Sequence, residues 1–388
     1  MPFKRPSRLS ELPPYLFVEI DRKKRAAAAA GRDVIDLGVG DPDRPTFDFI
    51  IERANRAIRE PRNHRYPHDA GVPAFRETAA AWFKRRFDVA LDPAGEILTL
   101  IGSKEGLGHL PLATVEPGRA CLIPRPGYPV YHAATLFAGG IPHAMPLRAD
   151  RGWLPDLAAI PPAVLDRMAL MFINYPNNPI GATATLDFFR EAVALAMQHD
   201  FVIAHDAAYS EIYFDTPPPS ILQIEGARDV AVEFHSLSKT FNMTGWRLGF
   251  AVGNAEVLAA LARVKNNVDS GAFNAIQEAG VEAMERIEGE EVQVLRAMYR
   301  RRRDRFVEGL RRAGFSVTPP AATFFVWTPT PDGMDSMDCS ARMIEEQSVV
   351  AVPGIGFGEE GEGYVRFSLT SEESRLIEAA ERLQRIRW

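Results

Sequence analysis

Cysteine is nearly missing: Cys121 and Cys339 are the two in 388 residues. A disulfide framework is excluded as the organising principle, and neither cysteine has neighbours at metal-ligand spacing, so no metal is expected. Both read as small buried residues. Long apolar runs are missing too, with no stretch near the ~18 residues a membrane helix needs. The opening Met1–Ser10 is basic but has neither an apolar core segment nor a cleavage-like site. The expectation is a cytoplasmic protein without membrane contact. An excess of positive charge is also lacking: the formal net charge is −6, which argues against nucleic acid or an anionic membrane as main partner. The local exception, Arg300-Arg301-Arg302-Arg303, lies among Met298, Phe306 and Leu310 at helical spacing and reads as a solvated helix face. No repeat is apparent.

What is present is the balance of a globular chain, 46% hydrophobic and 25% charged, with length enough for two domains. A helix is expected from Tyr15 through Lys24 with a stop at Gly31, then a strand over Val34–Leu37 and a turn-rich Gly38–Asp43. Phe75, Ala79, Trp82 and Phe83 mark an amphipathic helix, as do Leu186, Phe189, Val193, Ala196 and Met197 behind an N-cap at Thr185. Between such helices lie short apolar strands, Ile97–Ile101, Met168–Ile173, Phe201–Ala204, Val230–Phe234 and Leu248–Val252. Apolar strands alternating with helices specify an α/β fold whose mostly parallel sheet is covered on both faces. After Val257 the pattern is helical to about Ala313, and strands then return at Thr323–Trp327, Val349–Val352 and Tyr364–Leu369 before a terminal helix. This last part reads as a smaller α+β domain that the N-terminal segment joins. The boundaries expected are 1–44 for the arm and part of the small domain, 45–280 for the large domain and 281–388 for the small one.

In an open α/β sheet, ligands bind beyond the carboxyl ends of the strands, and the informative residues gather there. Asn178 follows the Met168–Ile173 strand, Asp206 closes the Phe201–Ala204 strand with Tyr209 beyond, and Ser236, Ser238 and Lys239 follow Val230–Phe234. Gly102-Ser103-Lys104 opens a helix, where backbone N–H groups can hold phosphate with hydroxyls and the Arg247 fork. A buried carboxylate such as Asp206 needs a partner, and a protonated ring nitrogen is a good one. Lys239 can form an imine with an aldehyde, and Asn178 and Tyr209 can bond a phenolate-type oxygen beside it. Phosphate, ring nitrogen, aldehyde and phenolic oxygen together describe pyridoxal 5'-phosphate. Each residue alone has a bland reading: a surface lysine, a helix cap, a turn, a half-buried tyrosine. Their conjunction on neighbouring strand ends is what points to chemistry.

The segment Ser236-Leu237-Ser238-Lys239-Thr240-Phe241-Asn242-Met243-Thr244-Gly245-Trp246-Arg247-Leu248-Gly249 resembles the cofactor-lysine segment of fold-type I pyridoxal-phosphate-dependent aminotransferases, class I/II. Asn177-Asn178-Pro179-Ile180-Gly181 resembles that family's Asn-Pro-Thr-Gly turn, with Ile180 in place of threonine. The resemblance implies a large cofactor-binding domain with a seven-stranded-type sheet. It implies that Lys239 holds the cofactor and moves a proton, and that Asp206 pairs with the ring nitrogen. Asn178 and Tyr209 would bind the ring oxygen, and Ser103, Lys104, Ser236, Ser238 and Arg247 the phosphate. Tyr128 would stack on the ring, and Arg366 would clamp a substrate carboxylate beside the Gly40 backbone. Tyr66 would reach the phosphate in a neighbouring subunit, which implies a homodimer with shared sites.

Leu12–Phe17, Asp36–Asp43 and Gly102–Gly106 are similar to the LL-diaminopimelate aminotransferase-type subgroup, which would add Tyr15 and Asn274 to the substrate region. Amino acid and 2-oxo acid substrates follow, best matched by LL-2,6-diaminopimelate with 2-oxoglutarate. Aspartate-, alanine- or aromatic-type transfer stays open, as does carbon–sulfur β-elimination on the same fold. A non-enzymatic cofactor-sensing module is disfavoured, because fold segments begin near Leu12. The histidines His68, His205 and His235 need only packing or a secondary hydrogen bond, although His205 and His235 lie beside the site.

Overall fold

All seven residues of Met168–Asn174 are buried, as a strand must be when helices cover both faces of its sheet. The computed structural model describes residues 7–12, 17–67 and 70–388. Among them the strands are β1 (Ile35–Asp36), β2 (Ile97–Leu100), β3 (Ala120–Arg125), β4 (Ile141–Pro146), β5 (Met168–Asn174), β6 (Val202–Asp206), β7 (Ala231–Ser236) and β8 (Gly249–Gly253). Beyond these come β9 (Phe325–Pro329), β10 (Val349–Val350), β11 (Val352–Pro353) and β12 (Tyr364–Ser368).

Seven strands form one sheet in the order β2-β8-β7-β6-β5-β3-β4. The neighbours from β7 to β4 are parallel, whereas β8 runs antiparallel to both β7 and β2. Alternation along the strands divides the core. Met171 and Ile173 of β5 face helices Pro73–Phe87, Leu186–His199 and Asn274–Glu285. Leu170 and Phe172 face helices Ser103–Thr114, Val130–Phe137 and Ala255–Val268. The expected N-cap is present, with the Thr185 side chain accepting from the Phe188 amide. The α/β expectation holds.

The smaller layer is the antiparallel sheet β11-β12-β9. Its own apolar core is shared with helices Glu290–Arg312, Ser336–Gln347 and Glu373–Leu383. β1 pairs in parallel with β10, Ile35 opposite Val349, so both ends of the described chain build this layer. The stretch expected as one strand, Val349–Val352, is split: β10 serves β1 while β11 serves β12.

Two further differences from expectation have physical causes. β3 and β4 were not anticipated, because Pro124, Pro142 and Pro146 interrupt their pattern. β4 is an edge strand, and Pro124 lies past the last β5 partner of β3, where a missing N–H costs little. The arginine run is not a solvated face throughout. Arg300 and Arg301 are exposed, but Arg302 is 1% exposed and forks onto both Asp43 oxygens at 2.7 Å. Arg303 is buried and donates to the Pro320 carbonyl at 3.1 Å. Both cysteines are buried and free. Among the described residues, no helix is long and apolar enough to cross a membrane.

Candidate active site

The sheet register decides which residues meet. Asn174 at the end of β5 lies opposite Asp206 at the end of β6. Ser236, ending β7, pairs with Gly249, which also pairs with Leu100 at the end of β2. The Ile101–Lys104 turn, Arg247 and the Ser236–Lys239 segment therefore share one edge, the carboxyl edge of the parallel strands. β3 ends there too, three residues before Tyr128.

Asp206 is buried, and its Oδ2 accepts the hydroxyl of Tyr131 at 2.7 Å while Oδ1 accepts the Ala208 amide at 3.2 Å. Burial raises its carboxyl above the ordinary range, and these two donors oppose the rise. Tyr131 was missed from sequence because its helical position reads as core. It is fully buried and stacked on Phe172 at 4.9 Å. The available signal was a second tyrosine three residues after Tyr128.

Lys239 sits on a one-turn helix, Leu237–Thr240, and its Nζ donates to the Gly40 carbonyl at 3.1 Å. Burial lowers the amine to about 8; Asp41 works against this, and Arg247 and Arg366 assist it. Only glycine fits at position 40, since a Cβ would lie 2.5 Å from the Phe325 ring. Tyr209 is buried edge-on against Phe324 and Phe325. Burial pushes its phenol well up, against the pull of Arg366.

Arg366, on β12, is buried between the rings of Phe325 and Phe357, 4.2 and 4.8 Å from their centres. Its Nη1 donates to Asn178 Oδ1 at 2.9 Å and its Nη2 to the Gly38 carbonyl at 2.6 Å, whereas Nε has no acceptor. Burial lowers this guanidinium to about 10. Asn178 is itself held by its amide, which donates to Asn174 Oδ1 at 2.8 Å.

Gly102 precedes helix Ser103–Thr114 with φ +76°, and a Cβ there would lie 2.5 Å from Arg247 Nη2. A Cβ on Gly249 would lie 2.9 Å from the Ser103 amide. The two glycines let Arg247, the helix start and the β7–β8 pair approach one another. Ser236 Oγ accepts the Ser238 amide at 3.2 Å, and Ser103 and Ser238 are buried. Lys104 is exposed with its Nζ 5.8 Å over the Tyr128 ring, which meets Tyr131 edge-on. The result is a cradle of hydroxyls, amides and one guanidinium, chemically suited to an anion.

Asn274 is buried and donates to the Arg65 carbonyl at 3.3 Å, beside Tyr66, whose side chain is 87% exposed. Tyr15 and His68 lie outside the described residues. Sequence reasoning also missed Glu233, which lies between His205 and His235.

A parallel-sheet edge that joins a lysine of depressed basicity, a buried carboxylate, an anion cradle and a buried arginine defines an α/β enzyme that handles amino and carboxylate groups. Residues 32–383 match the aminotransferase class I and II family, and the chain belongs to it. It is 54% identical over 387 residues, 100% of each chain, to the LL-diaminopimelate aminotransferase of Syntrophobacter fumaroxidans. It is 51% identical to that of Aquifex aeolicus, covering 99% of this chain and 100% of the relative. Among solved structures, substrate-bound BacF of Bacillus subtilis matches with a TM-score of 0.93 at 36% identity, covering 98% of each chain. An aspartate aminotransferase double mutant of Thermus thermophilus matches with a TM-score of 0.93 at 29% identity, covering 99% of each.

Proposed function

We propose that the chain is a pyridoxal-phosphate-dependent aminotransferase that takes an amino group from LL-2,6-diaminopimelate and passes it to 2-oxoglutarate. The observation that carries this reading is identity of 54% and 51%, over essentially full length, with LL-diaminopimelate aminotransferases. Identity to the aspartate enzyme is 29%.

The residues present fit the cofactor. The cradle at Gly102, Ser103, Ser236, Ser238 and Arg247 offers anion donors. Asp206 is a buried acid with two donors and capacity for a third. Lys239 is an amine whose proton is lost far more readily than usual. Lys104 would join the phosphate donors, and Tyr128 would stack on the ring.

When bound, pyridoxal phosphate supplies an electrophilic carbon and a ring that withdraws electrons, and it stores the amino group between half-reactions. The chain's own residues do the rest. Nζ of Lys239 takes the proton from the substrate α-carbon and later returns it, a role its lowered basicity suits near neutral pH. Asp206 keeps the ring nitrogen protonated, and Asn178 and Tyr209 orient the ring oxygen. Arg366 binds the substrate α-carboxylate, its free Nε–H providing a donor and Gly40 lining the same space. Tyr15 and Asn274 serve the substrate region. A homodimer in the cytoplasm completes the reading, Tyr66 reaching the neighbouring copy's phosphate. Its 87% exposure in the single chain supports that role.

A spectrally monitored half-reaction screen tests the proposal. LL-diaminopimelate should discharge the cofactor-loaded protein faster than aspartate, alanine or aromatic amino acids do, and 2-oxoglutarate should restore it. Faster reaction with another donor overturns the substrate assignment, and pyruvate released from cystathionine would make the protein a β-lyase.

A further inference from the structure

Glu233 on β7 is 1% exposed and accepts four hydrogen bonds. The donors are His205 Nδ1 at 2.9 Å, His235 Nε2 at 2.7 Å, Ser220 Oγ at 2.8 Å and the Ile221 amide at 3.0 Å. Burial alone would raise this carboxyl, but the charge and hydrogen bonds of the two histidines outweigh it and hold Glu233 well below the usual range.

His205 is fully buried, and each of its ring nitrogens faces an oxygen. Nδ1 meets the Glu233 carboxylate, and Nε2 meets the Tyr175 carbonyl at 2.9 Å. Neither partner can donate. A neutral imidazole has one N–H, so it would leave a lone pair aimed at an oxygen in a site buried from solvent. The ring satisfies both contacts only as an imidazolium, and Glu233 supplies the compensating charge. His235 differs, since its second nitrogen lies 3.5 Å from the Ser210 hydroxyl, which can donate or accept.

Position decides what this cation does. His205 immediately precedes Asp206 on β6, and its Tyr175 contact holds the turn that carries Asn178. We infer that His205 is a positioning residue, a buried imidazolium fixed by Glu233, which keeps Asp206 anionic and the 175–178 turn in place. For Asp206 the purpose rests on the reading of the site given above; the protonation state of the ring does not.

Other groups act on the same atoms. Asp206 also faces Tyr131 from helix Val130–Phe137, Tyr209 beyond β6 and His235 from β7. His205 also packs against the Phe189 ring from helix Leu186–His199 at 4.9 Å. Burial works toward the neutral form of Asp206, and the adjacent positive charge is among the features that oppose this.

The test begins with nitrogen-15 NMR of histidine-labelled, cofactor-free protein at neutral pH. One ring with two protected N–H signals is expected, absent in His205→Gln and deprotonated in Glu233→Gln. The second measurement is retention of pyridoxal phosphate against pH. In His205→Gln the acid limb should move upward by about one pH unit, as for loss of a neighbouring charge, and kcat should fall more than KM changes. A singly protonated ring in the native protein overturns the inference, and so does an unmoved acid limb in a folded His205→Gln. Should that variant not fold, the number of doubly protonated rings decides: it must drop by one between native protein and Glu233→Gln. Failure of LL-diaminopimelate as donor would leave the NMR result untouched, so the two failures are distinguishable.

Discussion

Tyr131 and Asp206, 75 residues apart in the chain, meet through a 2.7 Å hydrogen bond from phenol to carboxylate with both side chains buried. The bond ties the helix after β3 to the end of β6 and helps to hold a charge that burial disfavours. Tyr131→Phe removes the donor and leaves the ring stacked on Phe172. The stability loss should be about 1–3 kcal/mol. It should be larger at alkaline than at acid pH, because a protonated Asp206 loses less with its donor. Thermal unfolding of the cofactor-free variant across pH checks this, and a loss independent of pH would contradict it.

Lys239 has a stability signature separate from turnover. Its amine falls from 10.5 to about 8 in the folded chain, chiefly through burial. Below about pH 8 the folded, cofactor-free protein carries the full cost of a buried charge. Between about 8 and 10.5 the unfolded chain binds the proton more tightly, so stability should rise with pH through that window. Lys239→Met should be inactive yet more stable at neutral pH, by on the order of 3 kcal/mol. Its stability should also lack the rise between about 8 and 10.5. Urea unfolding of both proteins at several pH values tests the sign.

These relationships show why some of the molecule was legible in sequence and some was not. β5, β6 and β7 announce themselves because burial on both faces leaves unbroken apolar runs, and the groups at their carboxyl ends follow from the sheet. β3 and β4 stay hidden behind their prolines. Tyr131 carries only a weak local signal, its place three residues after Tyr128, because a buried tyrosine is ordinary, and Glu233 makes sense only beside His205, 28 residues away. Arg302 misleads because its neighbours Arg300 and Arg301 are solvated, while its partner Asp43 is 259 residues distant.

Arg366 is held with its fork already formed, one arm on Asn178 and one on the Gly38 carbonyl. A lysine would keep the charge but lose the planar pair of donors and the stacking between Phe325 and Phe357. Arg366→Lys should raise KM for both amino donor and oxo acid about 100-fold, the loss of roughly 2–3 kcal/mol that a charged bidentate contact represents. The effect on kcat should be smaller. Steady-state kinetics with each substrate varied separates the two, and an unchanged KM would remove Arg366 from carboxylate binding.

The Arg302–Asp43 pair is the other fixed point of the substrate-side backbone. Asp43 ends the segment whose Gly38 and Gly40 carbonyls accept from Arg366 and Lys239. Arg302, on helix Glu290–Arg312, also donates to the Leu369 carbonyl at 3.0 Å. Asp43→Asn leaves the buried Arg302 charge uncompensated and should cost about 3–5 kcal/mol, whereas Arg302→Met leaves Asp43, an exposed residue, where water can reach its carboxylate and should cost less. The double variant should be more stable than the sum of the single losses predicts, because no lone charge remains. A double-mutant cycle by urea unfolding measures this coupling. Where Asp43→Asn stays folded, its KM should rise with the displaced carbonyls, whereas strict additivity of the two losses would show that the pair is not coupled.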